Sequence, residues 1–182
     1  MTATQLVTAE ELYRMGGDVP YELWEGVLKE VSPSSSKSSE IGVLLAIRIG
    51  QFVLAQSLGY MTGSDGGYIL SSNLQTVVSP DFGFVRKERL PHGFSARGFC
   101  PMPPDLAVEV ISPTDRKADI AQKQALYRQA GVPLVWWVDP ERKTVTVHRF
   151  GQESEVVDVS GTLDGGDVLP GFELVLRTIF RD

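Results

Sequence analysis

Residues 103–116 read "PPDLAVEVISPTDR". Leu106, Val108 and Val110 alternate with Asp105, Ala107, Glu109 and Ile111. A strand has a side-chain period of two, so the first set faces one side of a sheet and the second set the other. Glu109 is out of keeping with so apolar a strand. An ionised carboxylate is costly to bury unless it is paired or bound to a metal. Its position marks a candidate site.

The flanking sequence places this strand in a sheet. "SPTDRKADIAQKQALYRQAG" (112–131) has the marks of a helix, with Ser112 or Thr114 able to cap it and Gly131 to close it. "LVWWV" (134–138) then reads as a strand covered on both faces. Strand, helix and buried strand form a βαβ crossover, which makes the two strands parallel. Upstream, "GGYILS" and "LQTVVSPDFGFVRK" predict successive antiparallel strands, and "YELWEGVLKEV" a hairpin about Glu25-Gly26. Ile41, Leu44, Leu45, Ile49, Phe52 and Val53 recur at helical spacing, predicting a helix from Glu40 to Leu58 after a "SPSSSKSS" loop. Thr8 and Glu11 form a capping-box pattern for a short helix at 9–15, ending at Gly16-Gly17. "KTVTVHRF" and "SEVVDVSG" predict a hairpin at the sheet margin. The class is α/β, a mixed β-sheet flanked by helices. The 182 residues fit one domain, 1–182.

Composition narrows the chemistry. The single cysteine, Cys100, excludes an internal disulfide and argues against a cysteine-based zinc cluster. Two histidines do not make a histidine-rich metal centre. No apolar run suggests a membrane span and the N-terminus lacks signal-peptide features, so the expected compartment is the cytoplasm. The net charge of −6 argues against general polyanion binding. Within it, "RKERLPHGFSAR" (86–97) is locally basic and reads either as a solvated loop or as a phosphate contact.

A second acid joins Glu109. Asp81 follows Pro80 at a strand start and alternates with Gly83 and Val85, while Glu109 has Ala107 as its same-face neighbour. Small neighbours leave room for an ion and a ligand. Two strand carboxylates, completed by water and phosphate oxygens, suit Mg²⁺, with Mn²⁺ as a substitute. Such an ion polarises a phosphodiester and lowers the pKa of an attacking water. Asp119, Lys123 and Tyr127 follow at four-residue spacing, along one helix face. Asp105 shares Glu109's face but lies about 13 Å along the strand, too far for the same ion, and reads as structural.

Together "YELWEGVLKEVSP", "VVSPDFGFV", "PPDLAVEVISPTDR", the spaced Asp119, Lys123 and Tyr127, "AGVPLVWWVDPERKTVTVHR" and "LPGFELVL" resemble the Uma-two family. This is a restriction-endonuclease-like group within the PD-(D/E)XK nuclease superfamily. The resemblance implies a restriction-endonuclease-like core with Asp81 and Glu109 as metal ligands. The superfamily lysine normally stands two residues after the acid, where this chain has Ile111. The resemblance therefore implies that Lys123 has taken its place. Many relatives carry a histidine before the long helix, where this chain reads "KSSE". Glu40 there reads as a helix N-terminal acid in preference to an added acidic ligand. The expected function is Mg²⁺-dependent phosphodiester hydrolysis of nucleic acid, DNA first, by Asp81, Glu109 and Lys123. A homodimer suits symmetric cutting of two strands. The alternative is a non-catalytic nucleic-acid-binding or protein-interaction module on the same fold.

Overall fold

The computed structural model describes residues 6–16, 21–71, 73, 75–92, 94 and 97–181. Along the chain run α1 (Ala9–Met15), β1 (Tyr21–Trp24), β2 (Val27–Glu30), α2 (Ser36–Gln56), β3 (Gly59–Gly63), β4 (Tyr68–Ser71), β5 (Thr76–Val78), β6 (Phe82–Arg86), β7 (Leu106–Val110), α3 (Lys117–Gln129), β8 (Leu134–Asp139), β9 (Thr144–Arg149), β10 (Glu155–Asp158), β11 (Thr162–Gly165) and β12 (Leu169–Val175). Six strands form the main sheet in the order β10-β9-β8-β7-β6-β3. Within this sheet, among the described residues, only β7 and β8 run parallel, Leu106 opposite Leu134, because α3 returns the chain between them. The mixed α/β sheet read from the sequence is the observed one. A smaller antiparallel sheet has the order β2-β1-β5-β4, and β11 pairs with β12.

The alternation in β7 sorts the two faces. Leu106, Val108 and Val110 join Phe82, Phe84 and Trp136 beneath Ile41, Leu45, Ile49 and Val53 of α2, with Leu169, Phe172 and Leu174 of β12. Ala107 faces the other way, with Val85, Val135 and Trp137, under α3 and the small sheet. All five residues of β7 are buried. The candidate acid thus lies in a strand with core on both sides.

Several boundaries differ from the sequence reading. The long helix begins at Ser36, four residues before Glu40, because Ser35 caps it by accepting from the Ser38 N–H. Serine is a mediocre helix former, but Ser38 Oγ donates to the Ile111 carbonyl at 3.1 Å and ties this turn to the end of β7. Glu40 is exposed and stands beyond the first turn. By length and composition α2 is apolar enough to cross a bilayer, contrary to expectation, yet its buried residues pack on the sheet. Neither Ser112 nor Thr114 caps α3. Arg116 holds the cap position, while the Ser112 N–H donates to Asp115 in a turn. The short helix closes at Gly16, and Gly17 lies outside the described residues.

Three strands escaped the periodicity reading. Strand β3 is "GYMTG", and its Gly59 stands just beyond the expected end of the helix at Leu58. The left-handed terminator is Ser57 (φ 52°), and Gly59 opens the strand. A Cβ at Gly59 would stand 2.0 Å from the Val85 carbonyl oxygen, so close pairing requires glycine. The β11–β12 hairpin also went unpredicted. Its strands are broken by Gly165 and Pro170, which blur a period of two.

Gly83 does not leave room for an ion, as its small size suggested. A Cβ there would meet the Tyr68 ring at 2.4 Å and its hydroxyl oxygen at 2.5 Å. Tyr68 is fully buried, so it has little room to yield. Gly83→Ala is expected to cost about 1–3 kcal/mol by overpacking. The check is thermal unfolding, where the midpoint should drop by several degrees.

Candidate active site

Strands β6 and β7 set the two acids face to face. Phe82 pairs with Val108 and Gly83 with Ala107, so continuing the register places Asp81 opposite Glu109. Asp81 lies one residue before β6 and is half-buried. Its Oδ2 accepts from the Val110 N–H at 2.7 Å, which anchors it across the ladder. Glu109 is almost fully buried, its side chain keeping 10% exposure.

The α3 face completes the site. Lys123 Nζ lies 2.7 Å from Glu109 Oε1, and Tyr127, one turn on, donates its hydroxyl to the same oxygen at 2.5 Å. Helical spacing explains the convergence, since residues four apart stack on one face. Asp119, the third member of that face, points instead to Lys29 at 2.8 Å. Lys117, at the start of α3, is exposed.

Glu22 is the group that sequence reasoning missed. It projects from β1, is 2% exposed, and accepts Lys123 Nζ at 2.8 Å. The signal was available. Glu22 and Trp24 alternate with Tyr21 and Leu23, so an acid shares a strand face with tryptophan, as Glu109 shares one with alanine.

Three buried or half-buried carboxyl groups therefore surround one ammonium, so acids outnumber bases in the cluster. Burial pushes the Glu109 carboxyl up to about 7 against the pull of Lys123, with Glu22 and Asp81 pushing the same way. Burial raises Asp81 also, against the Val110 N–H and Lys123. For Lys123 burial alone would favour the neutral amine, but Glu109 and Glu22 outweigh it and hold the ammonium charged. Burial, then Glu109, keeps Tyr127 a neutral donor.

The oxygens divide into used and unused. Among the described residues, neither Asp81 Oδ1 nor Glu109 Oε2 accepts a hydrogen bond. Hard oxygen donors with excess negative charge fit a divalent cation that completes its shell with water and phosphate. No cage of three or more acidic, histidine or cysteine ligands occurs among the described residues. A two-carboxylate site does not require one.

Half of the basic segment's cations serve an internal acid. Asp105, fully buried, accepts from the Arg86 N–H and Nε, and pairs with Arg86 Nη2 at 3.0 Å and Arg89 Nη1 at 2.9 Å. Two of its four cations thus neutralise one core acid. Asp105 is structural, as its distance from Glu109 suggested. Ser38, within the "KSSE" stretch, also serves the scaffold through Ile111.

A family model, Uma2, described as "Putative restriction endonuclease", matches residues 9–177. A solved structure described as a putative nuclease belonging to DUF820, from Anabaena variabilis, superposes with a TM-score of 0.81 at 20% identity. The match covers 96% of this chain and 97% of that one. No curated protein matches the chain.

Proposed function

The chain belongs to the Uma2 family of restriction-endonuclease-like proteins, and on that premise we propose that it is a Mg²⁺-dependent nuclease hydrolysing phosphodiester bonds of DNA. One observation carries the reading. Asp81 and Glu109 stand opposite each other, each with an unused oxygen, in a cluster of three carboxyl groups and one ammonium.

In this reading Asp81 and Glu109 hold the ion, Mg²⁺ or Mn²⁺ in its place. The bound ion supplies Lewis-acid polarisation of the phosphate and a more acidic water. Lys123 orients the water and stabilises charge developing on phosphate oxygens. Tyr127 fixes the Glu109 carboxylate through its hydroxyl. We assign the whole activity to one cytoplasmic domain, with two copies acting together on duplex DNA.

The test is incubation of the purified protein with supercoiled plasmid and Mg²⁺ or Mn²⁺. Nicked and linear products are expected from the parent, and none above background from Asp81→Ala. A protein that binds the plasmid without cutting it is the non-catalytic module instead. Equal cleavage by parent and Asp81→Ala removes Asp81 from the mechanism.

A further inference from the structure

Glu22 differs from the other two acids in how its oxygens are filled. Oε1 accepts the Ser79 N–H at 2.8 Å and Lys123 Nζ at 2.8 Å, and Oε2 accepts Trp24 Nε1 at 2.7 Å. Both oxygens are occupied by protein donors, and the Trp24 and Ser79 bonds fix the plane of the carboxylate. Such a group is a preorganised acceptor for an ammonium rather than an ion ligand with oxygens to spare. Glu109 takes both its donors on Oε1 and leaves Oε2 unused.

The hairpin bearing Glu22 is docked on α3 in one register. Glu22 and Lys29 are cross-strand partners in β1 and β2. Their partners on the helix, Lys123 and Asp119, stand one turn apart. Acid meets base on one rung, and base meets acid on the next. Sliding the hairpin by one helical turn would set like charges together. Lys29 also lies over the Trp24 ring, its Nζ 4.8 Å from the centroid. The Glu22–Lys123 contact is therefore specified by a second, independent pair.

An ion held by Glu109 would compete with the Lys123 ammonium for that carboxylate, whereas Glu22 has both oxygens filled by protein donors. We propose that Glu22 is the positioning residue of Lys123, holding the ammonium beside the Asp81–Glu109 pair when Glu109 turns to an ion. The lysine then stays aimed at water and phosphate instead of swinging into solvent. This role rests on the nuclease reading, whereas the contact that performs it does not.

Two readouts separate those parts. In protein labelled with ¹⁵N-lysine, the Lys123 ammonium resonance should persist in Glu109→Gln without any ion. It should vanish in Glu22→Gln combined with Glu109→Gln. Glu22→Gln and the charge-conserving Glu22→Asp should also slow plasmid cleavage about 10²-fold, the scale of a misplaced catalytic group. Half-saturation by plasmid should stay unchanged in both variants, and half-saturation by Mn²⁺ should stay unchanged in the charge-conserving Glu22→Asp. Glu22→Asp keeps the charge and guards against a glutamine variant that fails to fold.

Loss of the resonance already in Glu109→Gln would overturn the proposal. So would parental cleavage per folded molecule in both Glu22 variants, which is what a merely structural residue would give. If the parent itself never cleaves but the resonances behave as expected, the nuclease reading fails and the hold of Glu22 on Lys123 stands.

Discussion

Lys123→Met is expected to lower plasmid cleavage by 10²-fold or more and the melting temperature by about 10 °C. The two losses have different origins. Cleavage falls because the ammonium that would steady water and phosphate is gone. Stability falls because Glu22 and Glu109, both buried, lose their shared counter-ion. Breaking a buried pair from one side costs about 3–5 kcal/mol. Adding Glu22→Gln removes one stranded charge, so the double variant should recover part of the melting temperature and none of the cleavage. Mn²⁺ should bind Lys123→Met at least as tightly as it binds the parent, because the ammonium competes for Glu109. Calorimetric titration with Mn²⁺ and thermal unfolding separate these effects. A variant that cleaves like the parent would show that Lys123 serves only as a counter-ion.

Asp105→Ala should damage the fold and spare the chemistry. Its carboxylate, with no exposed surface, receives one backbone N–H and two guanidinium groups. Alanine strands both arginines and the Arg86 N–H, at a cost of about 3–5 kcal/mol. For a chain of this size the melting temperature should fall by roughly 10 °C. Below its unfolding range the variant should cleave at the parental rate per folded molecule, since Asp105 lies about 13 Å along β7 from Glu109. Replacing the whole trio with apolar residues, Arg86→Met, Arg89→Met and Asp105→Leu, should restore much of the loss. If that triple variant instead loses DNA binding while staying folded, the arginines also touch the backbone of the substrate.

What could be read from the chain depended on how local the determining interactions were. Strands β7 and β8 and helix α3 were legible because side-chain period and the closing Gly131 act within a few residues, and their order implied the parallel pair. The pairing of Asp81 with Glu109 was legible in outline, since a strand carboxylate amid apolar neighbours needs a partner. Glu22 was not read, because its meaning depends on Lys123, far along the chain and on another element. Asp105 was placed as structural by distance alone, and its arginine partners were read as a basic loop because nothing local ties them to the acid. Gly83 looked like space for a ligand because periodicity shows a face but not what covers it, and Tyr68 covers it. The start of α2 was missed since serine propensity opposes a helix there, and a single long-range bond from Ser38 to Ile111 supports it.

The central claim is that Asp81 and Glu109 share one divalent ion. Anomalous diffraction from crystals of the protein grown with Mn²⁺ tests it most directly. A single strong peak bonded to Asp81 Oδ1 and Glu109 Oε2, with Lys123 still held by Glu22, is the predicted result. A peak elsewhere, or none at saturating Mn²⁺ with the Lys123–Glu109 bond intact, would contradict it.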